Sequence, residues 1–157
     1  MTARSISHAT FTIERQYDAS PARVFRAWSQ PELKLRWFAC HADWVPADYA
    51  LDFRAGGSER MRTGPAGGTV HAYDARYHEI VADQRIVYAY DMRLDATLIS
   101  VSLASVEFKP EGSGTRMVFT EQGAFLDGHT NRREREHGTA IGLDNLQTLM
   151  RDASHSL

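Results

Sequence analysis

The sequence predicts an α+β protein. Its expected parts are a curved antiparallel sheet of about seven strands, two short helices near the start and one long C-terminal helix, enclosing a cavity. Three observations lead there. Stretches of alternating apolar and polar residues follow one another across short turns. Pro21 and Pro31 each open a short helical pattern early in the chain. One unbroken helical pattern closes it.

Ala9 to Tyr17 alternates, with Phe11, Ile13 and Arg15 on one side and Thr10, Thr12 and Glu14 on the other, which reads as a strand. Ser20 is a good N-cap, and Pro21 fits the first helical position because its missing N–H costs nothing there. Val24, Phe25, Ala27 and Trp28 give that helix an apolar face. Ser29-Gln30-Pro31-Glu32 repeats the device before Leu33, Leu35 and Trp37. Strands are then expected over Tyr49–Phe53, Ser58–Thr63, Thr69–Val81, Gln84–Met92, Leu98–Phe108 and Thr115–Glu121. Gly56-Gly57, Gly64 to Gly68, Ala82-Asp83 and Lys109 to Gly114 supply the turns, so an antiparallel meander is expected.

The last element runs from about Asp127 to Met150 and, as a helix, would span ~36 Å at 1.5 Å per residue. Arg132, Arg133, Glu134, Arg135 and Glu136 read as a solvated face, whereas Leu143, Leu146, Leu149 and Met150 form an apolar stripe for burial on the sheet. A straight helix does not fill the concavity of a curved sheet. A cavity suited to a small apolar ligand follows.

Composition narrows the function. The 157 residues suit one domain, expected over 1–157 with its core at about 9–150, and 43% hydrophobic with 24% charged residues is a globular balance. A net charge of −2 argues against nucleic acid or an anionic membrane as partner. The single cysteine, Cys40, excludes an internal disulfide framework. No apolar run reaches ~20 residues, and the first eight residues lack an apolar signal core, so the cytoplasm is the expected address.

Several residues are candidates for chemistry. Met117, Phe119 and Glu121 share a strand face, so Glu121 ends an apolar inward row, either facing the pocket, or wetted at the cavity mouth, or paired with an arginine such as Arg60 or Arg62. Tyr88 and Tyr90 share a face with Ile86 and Met92; Tyr88 reads as core, while Tyr90 could reach a ligand. His71 and Tyr73 share a face of the neighbouring strand, and His71 could serve as a base. Cys40-His41-Ala42-Asp43 is the densest group of metal-type ligands but has no second cluster, and His129 and His137 are ~12 Å apart along a helix, so no metal is expected. No phosphate loop or nucleophile elbow is present, and no cofactor is expected.

The order strand, two short helices, six strands, long helix resembles the helix-grip (START/Bet v 1-like) fold of the SRPBCC superfamily. Within it, the chain is similar to the branch named after the activator of Hsp90 ATPase. The resemblance rests on Ser20 to Trp28, Pro31-Glu32-Leu33 with Trp37-Phe38, Leu51 to Gly57, Tyr77-His78-Glu79-Ile80 with Asp83 to Tyr88, and Gly114 to Glu121 before the Leu-rich helix. Three positions depart from the pattern: Ala75 for a glycine, Thr139 for a tryptophan and Cys40 for a glycine or proline. Thr139 in place of an indole would leave space or admit a polar contact where the helix passes over the cavity.

The resemblance implies binding of a small hydrophobic or aromatic molecule between sheet and helix. The expected lining is Trp37, Phe38, His71, Tyr73, Tyr88, Tyr90, Met117, Phe119, Glu121, Thr139 and Leu143. Some relatives act as polyketide cyclases, aromatases or hydrolases in such a cavity, an alternative for which Glu121 with Tyr90, His71 or Arg60 is the available polar set. The family name implies a third role, as cofactor of an Hsp90-type chaperone. A homodimer, through a sheet edge or the region around Trp44-Val45-Pro46, and a monomer are both open.

Overall fold

The computed structural model describes residues 3–39, 43–44 and 46–153, so most of the Cys40 to Asp43 group and Val45 lie outside the described residues. The elements run β1 (Ile6–Tyr17), α1 (Pro21–Ser29), α2 (Pro31–Phe38), β2 (Asp48–Leu51), β3 (Ser58–Thr63), β4 (His71–Val81), β5 (Arg85–Leu94), β6 (Thr97–Glu111), β7 (Gly114–Leu126) and α3 (Arg132–Ala153). The seven strands form one sheet in the order β1-β7-β6-β5-β4-β3-β2. Every neighbouring pair is antiparallel.

Two bulges shape the sheet. Register shifts between Tyr77 and Glu79 in β4 and at Met92/Arg93 opposite β6. An unpaired residue bends its strand and increases the local twist. At the second bulge both Ile99 and Ser100 are buried, where strict alternation would turn one of them outward.

The helix starts follow the physics of orphan N–H groups, with two departures from the sequence reading. Ser20 caps α1 by accepting from the Arg23 amide at 3.3 Å. Ahead of α2 the cap position is Gln30, which makes no side-chain cap hydrogen bond; the Ser29 hydroxyl instead donates back to the Arg26 carbonyl. At the other end, α3 begins at Arg132 rather than near Asp127. Asp127 and Gly128 have φ of 56° and 72°, outside helical space. Asp127 accepts from the Ser5 amide and pairs with Arg4, tying down the start of β1. The cap of α3 is Asn131, whose Oδ1 accepts from the Glu134 amide at 2.9 Å.

Leu143, Leu146, Leu149 and Met150 are all buried in one cluster with Tyr17, Val24, Trp28 and Phe108. The helix is fixed at the β1 side: the Tyr17 hydroxyl donates to the Leu143 carbonyl at 3.0 Å and Arg15 pairs with Asp144 at 3.0 Å. Packing against α2 and β1 leaves the concave face of β4, β5 and β6 uncovered by the helix backbone. That gap is the cavity.

Candidate functional site

The cavity has a volume of about 480 Å³, within the range of small-molecule sites. Its wall is built from both layers. The strands contribute Met61, His71, Tyr73, Tyr88, Tyr90, Met92, Ile99, Phe119 and Glu121, and α3 contributes Arg135, Thr139 and Leu143. Trp28, Trp37 and Phe38 close the end beneath α1 and α2. Tyr73 meets Phe38 edge to face and packs tilted against Tyr90, with ring centroids 4.9 Å apart in each case. His71, half-buried, lies 4.6 Å from the Trp44 ring at the rim.

Of the residues expected from the sequence, Met117 is the one that does not reach this space. It is fully buried, and its strand neighbours are Arg15 and Phe108. Two residues earlier on β7 than Phe119, it lies where the layers already touch, so its side chain packs in solid core. Trp37, Phe38, His71, Tyr73, Tyr88, Tyr90, Phe119, Glu121, Thr139 and Leu143 all line the cavity.

Glu121 is the polar centre of the wall, at 1% exposure. Its two carboxylate oxygens lie 2.8 and 2.7 Å from the Tyr90 hydroxyl, which donates to them. Its ionic partner is neither Arg60 nor Arg62. Those pair with Asp48 and Asp74, because they project from the other side of β3. The partner is Arg135, whose Nη1 lies 3.2 Å from Oε2 of Glu121. Arg135 Nη1 also donates to the Tyr90 oxygen at 3.0 Å and the Ser102 hydroxyl at 3.4 Å, and Nη2 to the Ser100 hydroxyl at 2.7 Å. The guanidinium lies over the Tyr90 and Phe125 rings, 5.5 and 5.4 Å from their centroids. Gly123 permits this bed: a Cβ there would come within 2.9 Å of the Phe125 ring and 3.2 Å of the Ser102 hydroxyl.

The expected solvated face around Arg135 is therefore corrected at that residue. A signal was available: stepping back from Met150 through Leu146, Leu143 and Thr139 by three or four residues reaches Arg135, on the inward stripe. Burial and the adjacent Glu121 carboxylate push the Tyr90 hydroxyl far above its ordinary value, so it acts as a donor. Burial alone would lower Arg135, but Tyr90 and Glu121 outweigh it and hold the guanidinium above its usual value.

A second buried ion pair escaped the sequence reading. Lys34 and Glu59 are 0% and 1% exposed. Lys34 Nζ donates to both Glu59 oxygens at 2.9 and 3.0 Å, and the Tyr49 and Tyr77 hydroxyls donate to them at 2.7 and 2.9 Å. The ammonium sits among aromatic faces, 4.4 Å from the Phe38 centroid and 5.1 Å from that of Trp28. Burial lowers the Lys34 pKa against the opposing pull of Glu59. Lys34, Trp37 and Phe38 stand at i, i+3 and i+4, and Glu59 shares strand parity with Met61, so the pattern was present but charge masked it. This pair does not line the cavity; it supports the aromatic end from behind. Two donors near it, the Tyr73 hydroxyl and the Trp28 indole N–H, are buried with no hydrogen-bond partner among the described residues.

Among the described residues no group of three or more His, Cys, Asp or Glu is arranged to hold a metal ion, and no helix is long and apolar enough to cross a membrane.

With strand order, long helix and cavity in place, comparison with known proteins finds a match over residues 18–151 to the family described as activator of Hsp90 ATPase homolog 1-like protein. The chain belongs to this family. A structure from Rhizobium leguminosarum, of a protein described as uncharacterized, superimposes on this activator-like domain with a TM-score of 0.91 at 54% identity, covering 96% of this chain and 99% of the other. A Rhizobium loti protein gives a TM-score of 0.85 at 43% identity, covering 92% and 98%. An activator-like protein from Aeromonas hydrophila shares the fold alone, with a TM-score of 0.68 at 19% identity over 93% and 94%. A comparison with curated proteins finds no match. The helix-grip α+β architecture of the family is that of this chain.

Proposed function

We propose that this activator-like domain binds a small, largely apolar or aromatic molecule in the cavity between sheet and α3. The observation that carries the reading is the composition of the wall: a space of about 480 Å³ lined by Trp28, Trp37, Phe38, Tyr73, Tyr88 and Phe119, with a hydrogen-bonded polar corner at Glu121, Tyr90 and Arg135. Apolar walls with a few convergent polar groups are the pattern of ligand sites. The Glu121 oxygens are engaged by Tyr90 and Arg135, which suits holding a molecule better than transforming it, since a general base needs an unengaged oxygen facing the substrate.

Native mass spectrometry of the purified protein looks directly for a co-purifying molecule. Thr139 lines the cavity, so Thr139→Trp fills the space and weakens binding of the neutral fluorescent probe N-phenyl-1-naphthylamine while circular dichroism is preserved. In a tightly packed site the same change would overpack, at a cost of ~1–3 kcal/mol. Equal probe binding by both proteins overturns the reading.

A further inference from the structure

The polar corner also selects among ligands. Arg135 has five N–H donors in a planar fork. Two belong to Nη1, which faces Tyr90, Glu121 and Ser102, and one on Nη2 serves Ser100. Among the described residues Nε–H and the second Nη2–H take no acceptor, on a side chain that lines the cavity and keeps 13% of its surface exposed. The Tyr90 proton is spent on Glu121, and Glu121 is 1% exposed behind it. The corner therefore offers a ligand a hydrogen-bond donor edge.

Charge decides what that edge accepts. The ionisable groups of the wall are Glu121, Glu134 and Arg135, with His71 and His129. Arg135 is already matched by Glu121 at 3.2 Å, and Glu134 adds a further carboxylate at the mouth. The wall's two carboxylates outnumber its one guanidinium. A carboxylate or phosphate on the ligand would give up its hydration to sit beside a guanidinium already neutralised by Glu121, with Glu134 a further carboxylate on the wall. An uncharged acceptor loses far less hydration and still gains a charge-assisted hydrogen bond.

We infer that the ligand carries an uncharged hydrogen-bond acceptor, of the ketone, ester or amide class, on an aromatic or apolar frame, seated against the free edge of Arg135. This rests on the cavity reading above and adds the chemistry of one end of the molecule. Arg135 is then a specificity-determining residue.

Three naphthalene probes of similar size test it by calorimetric titration: 2-acetonaphthone, 2-naphthoate and 2-ethylnaphthalene. The expected order places 2-acetonaphthone tightest, about tenfold over 2-ethylnaphthalene, the scale of one charge-assisted hydrogen bond, with 2-naphthoate weakest. In Arg135→Lys, which keeps the charge beside Glu121 but removes the fork, the ketone preference falls to within about twofold. Should that variant fail to fold, the double replacement Arg135→Met with Glu121→Gln removes both charges together and serves the same purpose. In either variant the reading is the ratio of 2-acetonaphthone to 2-ethylnaphthalene affinity, so a change common to both probes does not enter. Naphthoate binding as tightly as the ketone, or a ketone preference that survives loss of Arg135, overturns the inference while the cavity stands. Failure of all three probes to bind overturns the cavity reading itself.

Discussion

Arg135, in the first turn of α3, reaches down onto the sheet to place Nη1 3.2 Å from the buried Oε2 of Glu121 on β7. A cation in a first turn opposes the helix dipole, and burial adds a desolvation cost. The position is tolerable because Glu121, Tyr90, Ser100 and Ser102 all accept from it. This link fastens the start of α3 to the sheet, while Tyr17 and Arg15 fasten its middle.

Arg135→Ala leaves the Glu121 carboxylate buried without its cation, and the expected loss is ~3–5 kcal/mol. Arg133→Ala, on the exposed face, stays within ~0.5 kcal/mol. Urea denaturation of the two variants checks this. Equal midpoints would mean that Arg135 does not hold Glu121.

Leu146 is fully buried in the central cluster. Leu146→Ala removes packing that neighbouring rings cannot refill, with an expected cost of ~2–5 kcal/mol. Thermal melting reads it, and a shift as small as that of Arg133→Ala would place the helix face wrongly.

Lys34→Met strands Glu59 between two phenols, and a loss of ~3–5 kcal/mol is expected. Adding Glu59→Gln to Lys34→Met removes the orphaned charge while leaving an amide oxygen for Tyr49 or Tyr77, so stability recovers in large part. A double-mutant cycle with no coupling between the two sites would contradict the pair.

All six tyrosines, at 17, 49, 73, 77, 88 and 90, have hydroxyl pKa values raised by burial, several of them further by Glu59 or Glu121. The unfolded chain loses those protons near pH 10 while the folded one keeps them, so above that pH the native state binds more protons. Stability then falls as pH rises, by up to ~1.4 kcal/mol per pH unit for each tyrosine once the unfolded phenol is ionised. Below pH 9 these groups contribute no pH dependence. Absorbance at 295 nm, followed with circular dichroism, should show phenolate appearing together with unfolding. Phenolate forming at its ordinary pH in a protein that stays folded would refute this.

The element order was legible because each element is specified locally. Alternation in Ile13 to Tyr17 and Ile86 to Tyr90 needs a pleated strand, Ser20-Pro21 starts a helix whatever surrounds it, and Leu143, Leu146 and Met150 can share a buried stripe only at helical spacing. Those signals are short in range, and they sufficed for the helix-grip architecture. Boundaries were less legible where a turn competed with a cap: Asp127 has the residue type of an N-cap, but its carboxylate is taken by Ser5 and Arg4, more than 120 positions away.

Charge pairing was decided only by the tertiary structure. Glu121 could be read as inward, yet its partner had to come from another layer, and sequence offers no distance between β7 and the first turn of α3. Arg60 and Arg62 looked equally able to serve, and strand parity sent them to Asp48 and Asp74 instead. Lys34 and Glu59 show the same limit, since each is costly to bury alone and becomes acceptable only when the fold brings the other within 3.0 Å. Apolar residues announce burial by themselves because burial favours each one singly. Buried charges are stable only as pairs, so the fold that joins them decides where they belong.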